Sequence, residues 1–215
     1  MPRSKISEFE GYGSRNKTIK EVYDEIKPGI HVELTPSNYN DGEPSTSNIL
    51  TALSYGCDVV TASKSPLVLY YDEIINLARK KRLNVKFRAT VMGGTPFIDL
   101  LSSLKSYEII KIEGILNATT NFILSTMFDK LIPYEKALEE AKSIGIAEAD
   151  PSTDVKGIDA SAKLVIISRI LGYKLKLNEI VRDDASSIKL EDVISSIKEE
   201  KVIKYIASLE SNKAS

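Results

Sequence analysis

Apolar and polar residues alternate along Ile30-His31-Val32-Glu33-Leu34, the period-two pattern of a half-buried strand. Before it, Lys17 to Lys27 reads as a short helix ended by Pro28-Gly29. After it comes a polar loop, Thr35-Pro36-Ser37-Asn38. Ser45 to Tyr55 predicts a second helix with Gly56 as its carboxyl cap. Asp58-Val59-Val60-Thr61 is short and β-branched, as a buried strand is. Ser65 then reads as an N-cap with Pro66 at the first helical position, and Leu67 to Lys81 as the helix it opens. Asn84 to Val91 predicts a third strand. Strand, helix, strand, helix, strand is the order of a parallel α/β layer. Ligands of such layers sit outside the carboxyl ends of the strands. That places the loops Thr35–Asn38 and Thr61–Lys64 at the expected site.

The second half begins near Thr90. Met92-Gly93-Gly94-Thr95-Pro96 is a tight loop leading into a helix at Pro96. Tyr107 to Leu116 alternates as a strand, with Ile109, Ile110, Ile112 and Ile115 available for a core. Ala118 to Phe128 and Pro133 to Ser143 predict helices, the second stopped by Gly145. Ile146 to Thr153 is a loop rich in carboxylates and small residues. Asp154 or a neighbour caps a further helix, which runs to Leu171 and ends at Gly172. Glu191 to Leu209 has a helical pattern and is polar overall. Residues 1 to about 20 predict an irregular segment, and Ser211 to Ser215 a frayed end.

The 215 residues, 42% hydrophobic and 27% charged, suffice for one large or two small domains. The formal charge of -1 argues against a dedicated nucleic-acid binder. No apolar run reaches the roughly 18 residues of a membrane span. Cys57 is the single cysteine and His31 the single histidine, which excludes an intrachain disulfide and a Cys/His zinc cluster. A reducing, cytoplasmic setting is the simplest reading. Cys57 precedes a buried strand and reads as a small core residue, and His31 receives no catalytic role. Gly11-Tyr12-Gly13 is not a dinucleotide fingerprint, because no strand precedes it and residue 16 is Asn.

Chemistry concentrates in Glu148, Asp150, Asp154, Asp159 and Lys163. Asp159 and Lys163 are four apart on a predicted helix and share a face. Spacing alone fits a surface ion pair as well as a site. The carboxylates gathered at the amino end of the same helix favour a site for a cationic group beside a lysine able to act as acid or base. Lys64 is a solvated loop lysine when read alone, and a site candidate by its place past a parallel strand. Asn117, Thr119, Thr120 and Asn121 cluster at a strand-to-helix junction, where capping is the simpler role and positioning near a ligand the alternative.

Gly145-Ile146-Ala147-Glu148-Ala149-Asp150-Pro151, followed by Asp154-Val155, Gly157, Asp159 and Lys163, resembles the signature of the homoserine dehydrogenase family. Val60-Thr61-Ala62-Ser63-Lys64-Ser65-Pro66-Leu67 is similar to the family's lysine loop. Ala89-Thr90-Val91-Met92-Gly93-Gly94-Thr95-Pro96 is similar to its domain-junction loop, and Gly114 to Asn121 to its Asn-rich turn. The match spans about residues 20 to 180. The resemblance implies interconversion of L-aspartate 4-semialdehyde and L-homoserine with NADP or NAD. It implies Lys163, Lys64 and Asp159 as catalytic residues. Lys163 would be the acid/base, Lys64 would polarise the carbonyl, and Asp159 would support Lys163. It implies Glu148, Asp154 and Lys64 toward the substrate, and Thr35, Ser37, Thr61, Ser63 and Lys64 toward the nicotinamide. A homodimer is implied too, with no nucleic-acid or membrane partner.

Three departures qualify the resemblance. Arg88 stands where the family often has a Glu belonging to a cation site, so no metal site is expected. Ile146 replaces a usual Tyr. The family's opening strand, Gly-x-Gly-x-x-Gly and helix have no counterpart in these 215 residues, and neither does its return segment after Gly172. The expected fold is therefore α/β: an incomplete Rossmann-like parallel layer over 1–88, then an α/β substrate and dimerisation domain over 89–215. The alternative function is a truncated, inactive relative serving as a binding or dimerisation module. An acylating dehydrogenase ranks last, because it needs a nucleophilic cysteine and Cys57 lies in the wrong context.

Overall fold

The computed structural model of the chain describes residues 17–104 and 106–210. The Gly11 and Gly13 segment, most of the expected irregular start, and the expected frayed end over Ser211–Ser215 fall outside these residues.

Helix α1, Ile19–Ile26, opens on a capping box between Thr18 and Glu21 and closes on left-handed Lys27, so both ends are satisfied by side chain or turn. Strand β1, Ile30–Glu33, leads through the polar loop to α2, Ser45–Ser54. Strand β2, Asp58–Thr61, is followed by α3, Ser65–Leu69, α4, Tyr71–Lys81, and β3, Val85–Lys86. The three strands are parallel in the order β1-β2-β3, with Val32 opposite Val60 and Val60 opposite Lys86. One face is closed by Ile49 and Leu53 of α2 and Ile74 of α4, packed with Val59 and Tyr23. On the other face Ile30, Val32, Leu34 and Val60 are exposed.

A 3-10 turn at Arg88–Thr90 carries the chain out of the layer to α5, Phe97–Ser103. Strand β4, Lys111–Gly114, precedes α6, Ala118–Lys130, and α7, Tyr134–Ser143. Short α8, Ser152–Val155, then meets α9, Ile158–Ile170. Helix α10, Leu190–Lys198, and strand β5, Ala207–Glu210, complete the described chain. Strands β4 and β5 pair antiparallel, Ile112 opposite Leu209. Helix α9 is buried nearly all round: Val165, Ile166 and Ile167 pack on Leu67, Val91, Ile98 and Leu101, and Leu164 packs on Ala207 and Leu209. Such a helix is the centre of the fold rather than its surface.

Five elements differ from the sequence reading. The helix expected to run from a cap at Asp154 or a neighbour to Leu171 is split: Asp154 lies inside short α8, and α9 begins at Ile158 behind left-handed Gly157. The third strand is two residues long, because the turn at Arg88 ends it. The helix expected over Leu67–Lys81 breaks at Tyr70 (φ -128°, ψ 26°), and Ser65 is its first residue rather than its cap. The strand expected over Tyr107–Leu116 shortens to four residues, and of its isoleucines Ile112 reaches the core while Ile110 and Ile115 stay exposed. The helix expected over Glu191–Leu209 stops at Lys198, after left-handed Glu200 the chain turns back, and its last part is β5.

Candidate active site

The loops after β1 and β2 are stitched together. The Lys64 amide donates to Ser37 Oγ at 2.9 Å, and the Asn38 amide donates to Ser65 Oγ at 3.1 Å. Helix α3 starts directly after Lys64, with Pro66 in its first turn. Beneath the loops runs a buried chain of hydroxyls. Thr35 Oγ1 donates to Glu33 Oε1 at 2.5 Å and lies 2.7 Å from Ser45 Oγ, which lies 2.9 Å from Ser63 Oγ. The Ser63 amide donates to Thr61 Oγ1 at 3.0 Å. Burial raises the Glu33 carboxyl, but the hydrogen bonds from Thr35 and Asn48 outweigh it and hold the group below its ordinary value.

Lys64 points its ammonium at α9. Its Nζ lies 3.2 Å from Asp159 Oδ1, while Lys163 Nζ lies 2.7 Å from Asp159 Oδ2. The pair predicted from four-residue spacing is therefore a three-group bridge from the layer to the central helix. Lys163 Nζ also donates to the Leu116 carbonyl at 2.5 Å. Burial pushes the Asp159 carboxyl up. The charges of Lys163 and Lys64, with hydrogen bonds from Lys163 and Asn117, prevail and keep it below the usual aspartate range. Burial, followed by the nearby Asp159 charge, pushes the Tyr39 hydroxyl above its ordinary value.

Asn117 takes the capping role expected of the Asn/Thr cluster and also binds two carboxylates. Its Oδ1 caps α6 by accepting from the Thr120 amide at 2.8 Å. Its Nδ2 donates to Asp159 Oδ2 at 3.0 Å and to Asp154 Oδ1 at 2.7 Å. Thr119 Oγ1 donates to Asp154 Oδ2, also at 2.7 Å. Sequence reasoning left Asn117 and Thr119 out of the candidate site. Their density at a strand-to-helix junction was the available signal, and a cap that also binds two carboxylates looks like any other cap in sequence.

Lys64, Lys163, Asn117, Asn121 and Thr90 line a cleft of about 530 Å³. It adjoins a second cleft of about 530 Å³ over the carboxyl ends of β2 and β3, lined by Leu34, Thr61, Ala62 and Phe87; Ala89 and Gly93 belong to both. The structure thus brings together Lys64, Lys163, Asp159 and Asp154. Glu148 is not drawn in: it is exposed, and its side chain pairs with no other described residue. Asp150 is spent on the Ser152 amide at 3.0 Å. Thr61 and Ser63 are buried, with their polar groups turned on neighbours, so they shape the strand ends; Thr35 and Ser37 are half-buried there. Arg88 pairs with Asp99 at 2.5 Å on the surface. His31 accepts or donates toward the Tyr23 hydroxyl at 2.7 Å, and the buried Cys57 thiol donates to the Pro28 carbonyl.

Residues 96–215 match the family model described as homoserine dehydrogenase. The homoserine dehydrogenase of Sulfurisphaera tokodaii is 40% identical over 190 residues, which is 88% of this chain and 60% of that protein. The enzyme of the same name from Methanocaldococcus jannaschii is 36% identical over 96% of this chain and 63% of its own length. Among solved structures, a homoserine dehydrogenase from Thiobacillus denitrificans superposes with a TM-score of 0.82 at 35% identity, over 90% of this chain and 44% of that one. A hyperthermophilic archaeal homoserine dehydrogenase mutant in complex with NADPH gives 0.79 at 33% identity, over 97% and 60%. The chain spans about 60% of the length of the curated relatives first compared.

Proposed function

The chain belongs to the homoserine dehydrogenase family, and from that premise we propose that it carries the catalytic region for interconverting L-aspartate 4-semialdehyde and L-homoserine with NADP or NAD. The observation that supports this most is Asp159 held between two lysines at a cleft beside the carboxyl edge of a parallel sheet. An aldehyde oxygen that becomes an alcohol needs a cation beside it and a proton to accept. Lys64 and Lys163 supply both. Lys64 polarises the oxygen, and Lys163 holds the proton that the oxygen takes, or removes it in reverse. Asp159 positions the two ammonium groups and receives neither substrate nor proton.

The substrate is zwitterionic. Asp154 faces its ammonium, with oxygens already oriented by Asn117 and Thr119; a carboxylate has capacity for further donors beyond these. Glu148 lies exposed in the loop before α8, outside this group of side chains, and would reach the substrate only if that loop moved inward. The cleft over β2 and β3 fits a nicotinamide ring. It is walled by Leu34, Val60 and Phe87, sits at the strand ends, and shares Ala89 and Gly93 with the lysine cleft. When bound, the dinucleotide supplies the hydride. Thr35, Ser37, Thr61, Ser63 and Lys64 frame its place, and the apolar wall excludes water from it. Residues 1–88 form the nucleotide side of the protein and 89–215 the substrate side, which pairs with a second copy through the β4–β5 sheet.

Purified chain is assayed for NADPH oxidation with aspartate semialdehyde, beside Lys163→Ala. The expected result is turnover in the parent and a loss of about 10²–10⁴-fold in the variant, at unchanged circular dichroism. Near-normal turnover by the variant refutes the acid/base role. No turnover and no NADPH binding at high protein concentration by the parent favours the binding or dimerisation module instead.

A further inference from the structure

A cavity of about 420 Å³ opens between α3, α9 and the 3-10 turn at Leu177–Glu179. None of the residues given a part in the reaction lines it. Its charged lining residues are all basic: Arg169, Lys176 and Arg182. Val68, Leu69 and Leu177 form an apolar wall, closed on one side by Tyr39. We propose that this cavity binds a small organic anion, with a carboxylate or phosphate head between Arg169 and Arg182 and an apolar body against the wall.

Arg169 carries the case. Its side chain is only 13% exposed, and its Nε is buried with no hydrogen-bond partner among the described residues. A buried donor left unpaired is costly, and native structures keep few of them. The carboxylate it meets is Asp72, at 3.3 Å from Nη1, and that side chain is 64% exposed. Among the described residues, Asp72 is the only carboxylate paired with a cation of the cavity, and it meets Arg169 alone. Arg182 is held at the turn, its Nη1 donating to the Leu177 carbonyl at 2.8 Å. Lys176 makes no ion pair among the described residues; Glu179 beside it is turned onto the Lys176 amide at 2.8 Å. Guanidinium forks match the paired oxygens of carboxylates and phosphates. A concave apolar wall with a few convergent polar groups is the usual form of a small-molecule site.

Isothermal titration of the whole chain tests this with phenyl phosphate, benzoate, inorganic phosphate and uncharged benzyl alcohol. At least one of the two aromatic anions binds more tightly than inorganic phosphate and benzyl alcohol, and the better of them identifies the head group. Arg182→Gln, at an exposed position, weakens that binding by about tenfold or more, and Arg169→Gln does the same where it folds. Lys163→Ala leaves it unchanged. The proposal is overturned if neither aromatic anion binds up to about 10 mM, if Arg182→Gln binds as the parent does, or if Lys163→Ala weakens binding as much, which places the anion in the reaction cleft.

Discussion

Replacing Asp159 by Asn removes one charge and almost no volume from the centre of the site. The carboxylate lies 2.7 Å from Lys163 Nζ and 3.2 Å from Lys64 Nζ. At an effective dielectric of about 20, unit charges at these separations attract by ~6 and ~5 kcal/mol. Most of that is offset by the several kcal/mol needed to take each ion out of water. Breaking a buried pair by deleting one partner costs about 3–5 kcal/mol, since the other charge is left uncompensated. The lysines keep some contact with water, their side chains being 24% and 17% exposed, so the lower end applies: Asp159→Asn loses about 3 kcal/mol at pH 7. The folded pKa of Asp159 is depressed. Its stabilisation is therefore complete above the unfolded value of about 3.9 and is lost as pH falls through the folded value. Urea unfolding followed by circular dichroism measures both effects. A variant with the parent's midpoint at pH 7 refutes the bridge as a stabilising element. A gap as wide at about pH 3 as at pH 7 refutes its electrostatic origin.

Asn117→Ala removes the α6 cap and leaves Asp154 and Asp159 each short of a donor; a loss of about 2–3 kcal/mol is expected in the same urea assay. A loss under about 0.5 kcal/mol shows that water replaces the amide at no cost. Gly157→Ala meets two obstacles, a backbone φ of +71° and a collision of the new Cβ with the Tyr205 phenol, for about 1–3 kcal/mol in thermal unfolding. Adding Tyr205→Phe recovers part of that cost, because it removes the atom in collision and leaves the strained φ.

The elements easiest to read in the sequence carry their signals locally. Pro28-Gly29 and Gly56 end helices where the structure ends them, and β2 spans the β-branched run Asp58–Thr61. The errors come from signals that are tertiary or disguised. The turn after α10 uses Glu200 in a left-handed conformation, a job usually announced by Gly or Asn. With no such marker, the helical pattern appears to run on. Yet Ile203, Tyr205, Ala207 and Leu209 alternate inward at period two, the pattern of the strand that follows. The break at Tyr70 is equally unmarked. For the site, the four-residue spacing of Asp159 and Lys163 put them on one face, but only the fold brings Lys64, 95 positions earlier by sequence number, onto the same carboxylate. Glu148, close in sequence to the acidic cluster, is left exposed at the surface while its neighbour Ala147 is buried against α6.

Helix α9 is tied to the parallel layer at both of its ends: Asp159 to Lys64 at the first turn, and Arg169 to Asp72 at the last. Between the ties its side chains are packed on α3 and α5. A rod fastened at two points and gripped along its length cannot swing as a hinged arm does. Sub-global opening of the layer from this helix must break both ties and the packing together. The amides of α9 are accordingly the ones to exchange last with heavy water, at the rate of global unfolding.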